Sequence, residues 1–327
     1  MKVVQGLNNW KVTLPIGSVA LGYFDGVHRG HQQIIATSIK EAHRQSLPSM
    51  VLSFEPHPLR VINPPKAPKL ITSFTHKTKL LEGLGVDFFL VLPFTSAFAA
   101  TKAPTFARDV LNKTLKTKHV TVGYNYTFGH KGEGTPEKLT IYGQELGFSV
   151  TVIPPITING EVISSSLIRQ LINQGDIANA AAALGRWPSI SGRITRGAGR
   201  GRTLGFPTAN ILLNDNLLWP RFGVYAVRSW YQNQYLFGVA NVGLAPTFSN
   251  NTARLEVYFF NFHENLYGKT MYVELIRFLR PEQKFSSSDE LKQQIEIDKE
   301  QAWRIFTYAG TKAYQHCPPF VYNRGAL

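Results

Sequence analysis

The sequence predicts an α/β domain built on a doubly wound parallel sheet, followed by an antiparallel β-barrel with a C-terminal helix. Three observations point there. Between residues 18 and 155, apolar β-rich runs alternate with helix-like stretches, the pattern of parallel strands joined by crossover helices. Between residues 191 and 279, six β-like runs follow one another with only turn residues between them, the pattern of an antiparallel barrel or sandwich. At 327 residues the chain is longer than one hydrophobic core usually spans, so two domains are expected.

Taken in order, "SVALGYF", "SMVLSF", "VDFFLVLPF", "KHVTVGY" and "FSVTVIPP" read as strands, and the helix-like stretches between them are "HQQIIATSIKEAHRQ", "HKTKLLEGLG", "TFARDVLNKTLK" and "PEKLTIYGQELG". Ligands of such a sheet bind beyond the carboxyl ends of its strands, so the loops after strands are where function is sought. An alanine-rich helical stretch, residues 164–187, then leads to a boundary near Gly185–Ser191. The expected domains are 1–185 and 186–310, with a tail at 311–327. The barrel strands are "SGRITRG", "FPTANILL", "GVYAVRSW", "YLFGVANVG", "RLEVYFFNF" and "MYVELIRFL". Ser287 and Glu290 have capping-box spacing for a last helix, in which Leu291, Ile295 and Ile297 begin an apolar face expected to pack on the barrel. The tail has two prolines and no periodicity, so it is expected to be loosely held.

Hydrophobic residues at 43% and charged residues at 17% exclude a disordered or fibrous chain. A net charge of +14 suggests an anionic partner: nucleic acid, acidic lipid or nucleotide phosphates. The charge is spread evenly over both halves without a Lys/Arg run, which disfavours a nucleic-acid tract and fits either two compact anion sites or an ordinary basic protein. The single cysteine, Cys317, excludes a disulfide framework and a Cys-based zinc cluster. The N-terminal "MKVVQGLNNWKVTLP" lacks the apolar core of a signal peptide, and no run approaches 18 apolar residues. A cytoplasmic protein with no membrane and no nucleic-acid partner is expected, as a monomer or weak homo-oligomer.

The stretch "GYFDGVHRGH", residues 22–31, follows a strand and turns into a helix. Gly22, Gly26 and Gly30 open room for something bulky, and the helix start offers N–H groups and partial positive charge, which together favour an anion. His28 and His31, three apart, also have the spacing of zinc ligands, with only scattered candidates such as His57 and His130 for a third. A further alternative is a pair of solvated loop histidines. The string resembles the HxGH signature of the nucleotidyltransferase superfamily. That resemblance implies ATP lying along Gly22, Phe24, Asp25, Gly26 and Gly30, with His28 and His31 as catalytic donors to the attacked phosphate. "ISSSLIR" reads first as a helix N-cap, and it also looks like the superfamily's phosphate motif. The resemblance implies that Ser164, Ser165 and Ser166 bind ATP and that Arg169 clamps its outer phosphates, with Ser166 where threonine is usual.

"SFEPHP" and "GYNYTFG", residues 53–58 and 123–129, resemble segments of the prokaryotic bifunctional riboflavin kinase and FAD synthetase family. This implies that Asn125 and Phe128 contact flavin; Tyr126 departs from the usual phenylalanine. In the second half, "GRGRTLGFPTANI" joins a basic glycine-rich loop to a strand. Read alone it is a flexible turn feeding an edge strand, or a phosphate loop with a hydroxyl and a carboxamide on one strand face, suited to Mg²⁺. It is close to the riboflavin kinase signature, which implies ATP at Gly199, Gly201 and Gly205, Mg²⁺ at Thr208 and Asn210, and Glu256 as general base. Glu256 also draws notice by itself, as an acid in the apolar run "LEVYFF".

The function these resemblances imply is phosphorylation of riboflavin to FMN by the C-terminal barrel and adenylylation of FMN to FAD by the N-terminal domain, each consuming ATP with Mg²⁺. Two alternatives remain open on the sequence: an enzyme with only one active half, and a basic nucleic-acid binder with a β-barrel reader.

Overall fold

In the computed structural model, residues 1–197, 201, 205–246 and 251–308 are described. The chain divides into two compact units, which among the described residues are Met1–Ser165 and Ser166–Tyr308.

The first unit is a parallel sheet of β1 (Lys2–Gln5), β2 (Ser18–Leu21), β3 (Ser49–Glu55), β4 (Phe88–Pro93), β5 (His119–Gly123) and β6 (Ser149–Ile153), in the order β1-β4-β3-β2-β5-β6. The five expected strands are present. The sixth, β1, adds to the edge beside β4, with Lys2 opposite Phe88 and Gln5 opposite Val91. With four residues and only Val4 buried, it offers too little patterning to be read as a strand. By contrast β2 is buried at every position, as a central parallel strand should be. From β2 the chain steps outward to β3 and β4, then returns to β5 and β6 on the other side. The carboxyl ends of β2 and β5, which are paired neighbours, therefore flank the point where strand order reverses and ligands of such sheets bind.

The helices of this unit are α1 (Arg29–Arg44), α2 (Pro58–Ile62), α3 (Phe74–Gly83), α4 (Ser96–Ala99), α5 (Ala103–Thr105) and α6 (Pro136–Leu146), with a π-helical stretch over Phe106–Thr114. α1 turns Ile34, Ile35, Ser38 and Ala42 inward at helical spacing. A hairpin of β7 (Thr157–Ile158) and β8 (Glu161–Val162) turns at Asn159 and Gly160, both at positive φ; this Asn-Gly pair is a hairpin signal legible in the sequence.

The second unit opens with α7 (Ser165–Gln174) and α8 (Ile177–Leu184), which the sequence grouped with the first half. Packing explains the difference. Ile177 is buried in one cluster with the barrel residues Tyr225 and Leu255, and the Arg221 amide donates to the Ile172 carbonyl at 3.3 Å. The barrel itself is closed and antiparallel, in the order β10-β13-β12-β11-β14-β9. Its strands are β9 (Ser189–Thr195), β10 (Ala209–Leu212), β11 (Gly223–Tyr231), β12 (Gln234–Pro246), β13 (Asn251–Phe259) and β14 (Thr270–Arg280). Ala209, Ile211, Ala240, Val242, Leu255 and Val257 fill its interior, so the alternating residues Asn210, Asn241, Arg254 and Glu256 lie on the outer face.

The last helix, α9 (Ser288–Tyr308), packs Ala302 against Ala226, Val239, Phe260 and Ile276. The expected cap forms, with the Ser287 hydroxyl accepting from the Glu290 amide at 3.2 Å. The Glu290 carboxylate returns to the amide and hydroxyl of Ser286, bonds that hold its carboxyl below the usual range. The expected apolar face is corrected at Ile297, which is 47% exposed. The inward position beside it belongs to Asp298, which receives the Arg280 guanidinium at 2.8 and 2.7 Å. The tail at 311–327 lies outside the described residues.

Candidate active sites

Beyond β2 the chain turns through residues 22–28 into α1. Phe24 (φ 57°), Gly26 (φ 80°) and Val27 (φ 41°) all lie in the left-handed region, a shape that the surroundings must impose. The Asp25 carboxylate accepts from the amides of Ile71 (3.0 Å) and Thr72 (3.3 Å), and the Gly26 amide donates to the Thr72 hydroxyl (3.2 Å). The Gln32 amide group donates to the Val27 carbonyl (2.8 Å) and the Ser165 hydroxyl to the Asp25 carbonyl (3.0 Å). The Asp25 carboxylate is thus engaged with the backbone of Ile71 and Thr72, which ties the loop to that segment.

The glycines have internal reasons. A Cβ on Gly22 would lie 2.9 Å from the Phe24 ring, one on Gly26 3.1 Å from Ile71, and one on Gly30 3.1 Å from the His28 ring. The bulky groups that the sequence reading assigned to a ligand are, at closest range, the chain's own side chains.

His28 is buried and is the N-cap of α1, its Nδ1 accepting from the His31 amide at 3.3 Å. In the neutral ring that bond leaves the proton on Nε2, which makes Nε2 a donor. The His31 ring stacks on it with centroids 3.5 Å apart, and Phe24 meets His31 edge-on at 5.2 Å. The structure therefore brings Phe24, Gly26, His28, Gly30, His31 and Ser165 together at the switch point. Ser164 directly precedes α7, while exposed Ser166 and half-buried Arg169 fall in the second unit. Among the described residues no three His, Cys, Asp or Glu side chains gather as a metal site. His57 caps α2, accepting from the Leu59 amide at 3.1 Å.

Across the switch point, the turn after β5 exposes Asn125. Phe128 is buried, within 5.8 Å of both Tyr126 and Phe106, and Gly134 lies so close that a Cβ there would sit 2.6 Å from its ring. Phe128 is a core residue in this structure. The Tyr126 hydroxyl is buried without a hydrogen-bond partner among the described residues, and burial pushes its phenol well up.

Lys77 escaped the sequence reading. It is 3% exposed and lies on the inward face of α3 with Leu80 and Leu81, and its ammonium donates to the Tyr23 carbonyl at 3.1 Å. A lysine three and four residues ahead of two apolar positions was the available signal.

In the barrel, strand register aligns Asn210 opposite Glu256, and Glu256 opposite Asn241, as one row across β10, β13 and β12. The Asn210 side-chain nitrogen reaches the Thr208 hydroxyl at 3.4 Å, so the two do share a face. Asn210 is 4% exposed, and its Oδ1 has no hydrogen-bond partner among the described residues. Gly197 closes over this amide, since a Cβ there would fall 2.5 Å from its nitrogen. Glu256 is corrected in its setting: its side chain is 39% exposed on the outer face, with the Arg254 guanidinium 3.6 Å away. On its other flank, Asn241 donates to the Glu282 carboxylate at 3.3 Å, and that carboxylate lies over Gly243. Gly201 accepts from the Phe206 amide at 2.7 Å, and exposed Gly205 has φ 90°, so both glycines serve the turn itself. Gly199 lies outside the described residues.

The FAD synthetase family model matches residues 14–167 and the riboflavin kinase family model matches residues 184–306. A bifunctional riboflavin kinase/FMN adenylyltransferase of Escherichia coli K12 is 39% identical over 308 residues, covering 94% of this chain and 98% of that protein. The Bacillus subtilis protein of the same description is 37% identical, covering 88% and 92%. A crystal structure described as a macrolide-efflux protein from Streptococcus pneumoniae superposes with a TM-score of 0.83 at 33% identity, covering 92% of this chain and 98% of that one. No described helix is long and apolar enough to cross a membrane. By the match of both halves in their order along the chain, this protein belongs to the bifunctional riboflavin kinase/FMN adenylyltransferase family.

Proposed function

We propose that the barrel phosphorylates riboflavin to FMN at the outer-face row of Asn210, Glu256 and Asn241, and that the first unit adenylylates FMN to FAD at residues 22–31. What supports this reading is that the loop and helix start of residues 22–31 lie in the first unit and the row of Asn210, Glu256 and Asn241 lies in the barrel, so the two proposed steps need share no residue.

In the first unit, a phosphate oxygen of FMN attacks the α-phosphorus of ATP, the bond to the bridging oxygen breaks, and pyrophosphate leaves. The attacking phosphate is already an anion, so no base is needed. The requirement is alignment and donors fixed where charge grows. His28 Nε2–H, His31 and the first amides of α1 supply such donors, with Ser164 and Ser165 adjoining. Asn125, exposed at the carboxyl end of β5, would meet the flavin nucleotide.

In the barrel, Glu256 accepts the proton of the terminal ribityl hydroxyl as that oxygen attacks the γ-phosphorus and ADP leaves. Its half-exposed position leaves the carboxylate accessible to a substrate hydroxyl. Asn241 and Glu282, on the flank away from Asn210, offer hydrogen-bonding groups to the rest of the polyol. The Oδ1 of Asn210, buried and without a partner among the described residues, lies beside the Thr208 hydroxyl and fits a hard cation, and these two residues would hold Mg²⁺. When bound, the ion neutralises charge on the ATP phosphates. We place both reactions in the cytoplasm, where ATP is at hand.

The test is chromatography of the flavin products after incubating the purified chain with riboflavin, excess ATP and Mg²⁺. FAD appearing by way of FMN is expected. FMN accumulating with no FAD, even when FMN is supplied, would remove the adenylylation reading, and no FMN from riboflavin would remove the kinase.

A further inference from the structure

Lys77 sits where a cation is expensive. Its side chain is 3% exposed, and a neutral side chain of similar volume would avoid the cost of stripping an ammonium of water. What the ammonium does there is specific. It donates to the Tyr23 carbonyl at 3.1 Å, which also accepts from the Ser53 hydroxyl at 3.0 Å, and it lies 4.1 Å from the centre of the Tyr23 ring. Tyr23 is the last residue before the left-handed run of Phe24, Gly26 and Val27, the run that sets His28 at the head of α1. Two donors on one carbonyl fix the peptide from which that run departs.

We infer that the Lys77 ammonium is a positioning group for adenylyl transfer, holding the loop of residues 22–28 in the shape that presents His28 and His31 to the nucleotide. The inference rests on that loop being the adenylyl-transfer site. Lys77 itself touches no reacting atom.

Burial pushes the Lys77 amine down to about 8, against the raising influence of two carboxylates, Asp25 in the loop and Glu55 at the end of β3. The other titratable groups about it are the Tyr23 phenol, His57, which meets the Tyr23 ring edge-on at 4.3 Å, and buried His76, its neighbour on α3. Because the amine's affinity for its proton is lowered, the ammonium is complete only well below pH 8 and is lost as pH rises through that region, far sooner than for an exposed lysine. Deprotonation removes the charge-assisted bond to Tyr23, and adenylyl transfer should fall with it. Riboflavin phosphorylation, in the other unit, should not follow that limb.

The experiment measures both activities of the full chain from pH 6.5 to 9.5, in the wild type, Lys77→Met, Lys77→Arg and His28→Asn. The expected result is a fall of at least about tenfold in the kcat of FAD formation for Lys77→Met at pH 7, with the wild-type alkaline limb absent. Lys77→Arg, whose guanidinium stays protonated, should restore activity with the limb moved upward. Riboflavin phosphorylation at the wild-type rate reports that each variant chain has folded its second unit. Wild-type FAD formation and pH profile in Lys77→Met, or an unmoved limb in an active Lys77→Arg, would overturn the inference. If His28→Asn also left FAD formation intact, the reading of the loop as the active site would fall with it. If His28→Asn abolished FAD formation while Lys77→Met did not, only the role of Lys77 would fall.

Discussion

His28 caps a helix in the structure and is proposed to donate to phosphate, and a pair of substitutions separates the two tasks. Its Nδ1 caps α1, and in the neutral ring the same bond leaves Nε2–H as a donor. Alanine removes both functions. Asparagine, among the strongest N-cap residues, keeps the first and lacks the ring N–H. Loss of an N-cap costs about 0.5–2 kcal/mol, and the 3.3 Å bond seen here belongs at the weak end of that range. Loss of one preorganised donor to developing negative charge costs about 2.7–4 kcal/mol, or roughly 10²–10³ in turnover. His28→Ala should therefore lower both the stability of the first unit, by about 0.5–1 kcal/mol, and FAD formation, by roughly 10²–10³. His28→Asn should regain the stability and none of the rate. Urea unfolding and FAD formation from supplied FMN at saturating ATP measure the two effects, with riboflavin phosphorylation as the internal control. If asparagine restored the rate of FAD formation along with stability, His28 would be a helix cap and nothing more.

Glu256→Gln removes the proposed base and should lower FMN formation by roughly 10²–10⁴ while FAD formation from supplied FMN is unchanged; equal loss of both activities would contradict the separation of sites. Asn210→Ala deletes the buried oxygen proposed for Mg²⁺, so FMN formation should require a higher free Mg²⁺ concentration, and an unchanged Mg²⁺ titration would dismiss that assignment. Arg280→Leu leaves the Asp298 carboxylate, whose side chain is only 3% exposed, with Gln294 as its remaining side-chain partner among the described residues, on the 3.0 Å bond. Unfolding should show a loss of about 3–5 kcal/mol, and much of it should return in the double variant Arg280→Leu/Asp298→Leu.

Local chemistry was legible wherever neighbours in sequence are neighbours in space. Thr208 and Asn210 share a strand face because a strand repeats every two residues, and their side chains do meet. Ser287 caps α9 for the same local reason. Glu256 was singled out for a premise that does not hold, burial in an apolar strand; its outward place follows from which alternate residues the barrel encloses. Asn241 could not be associated with it, because only the register of β12 on β13 sets them opposite each other. The grouping of α7 and α8 with the barrel likewise depends on where Ile177 finds apolar partners, and those lie on strands dozens of residues away.

By itself the sequence determined the alternation of strands and helices, the succession of barrel strands and the two motif loops, since each of these is written in spacing and residue type over a short span. Only the tertiary structure decided that residues 22–31 stand at the switch point beside β5, and that Lys77 lies beneath Tyr23. It also showed that the glycines of that loop make room for Phe24, Ile71 and His28. The physical reason is the same in each case: strand order, register and close packing are set by minimising exposed apolar surface and unpaired polar groups over the whole unit, and no short span of residues contains that minimum.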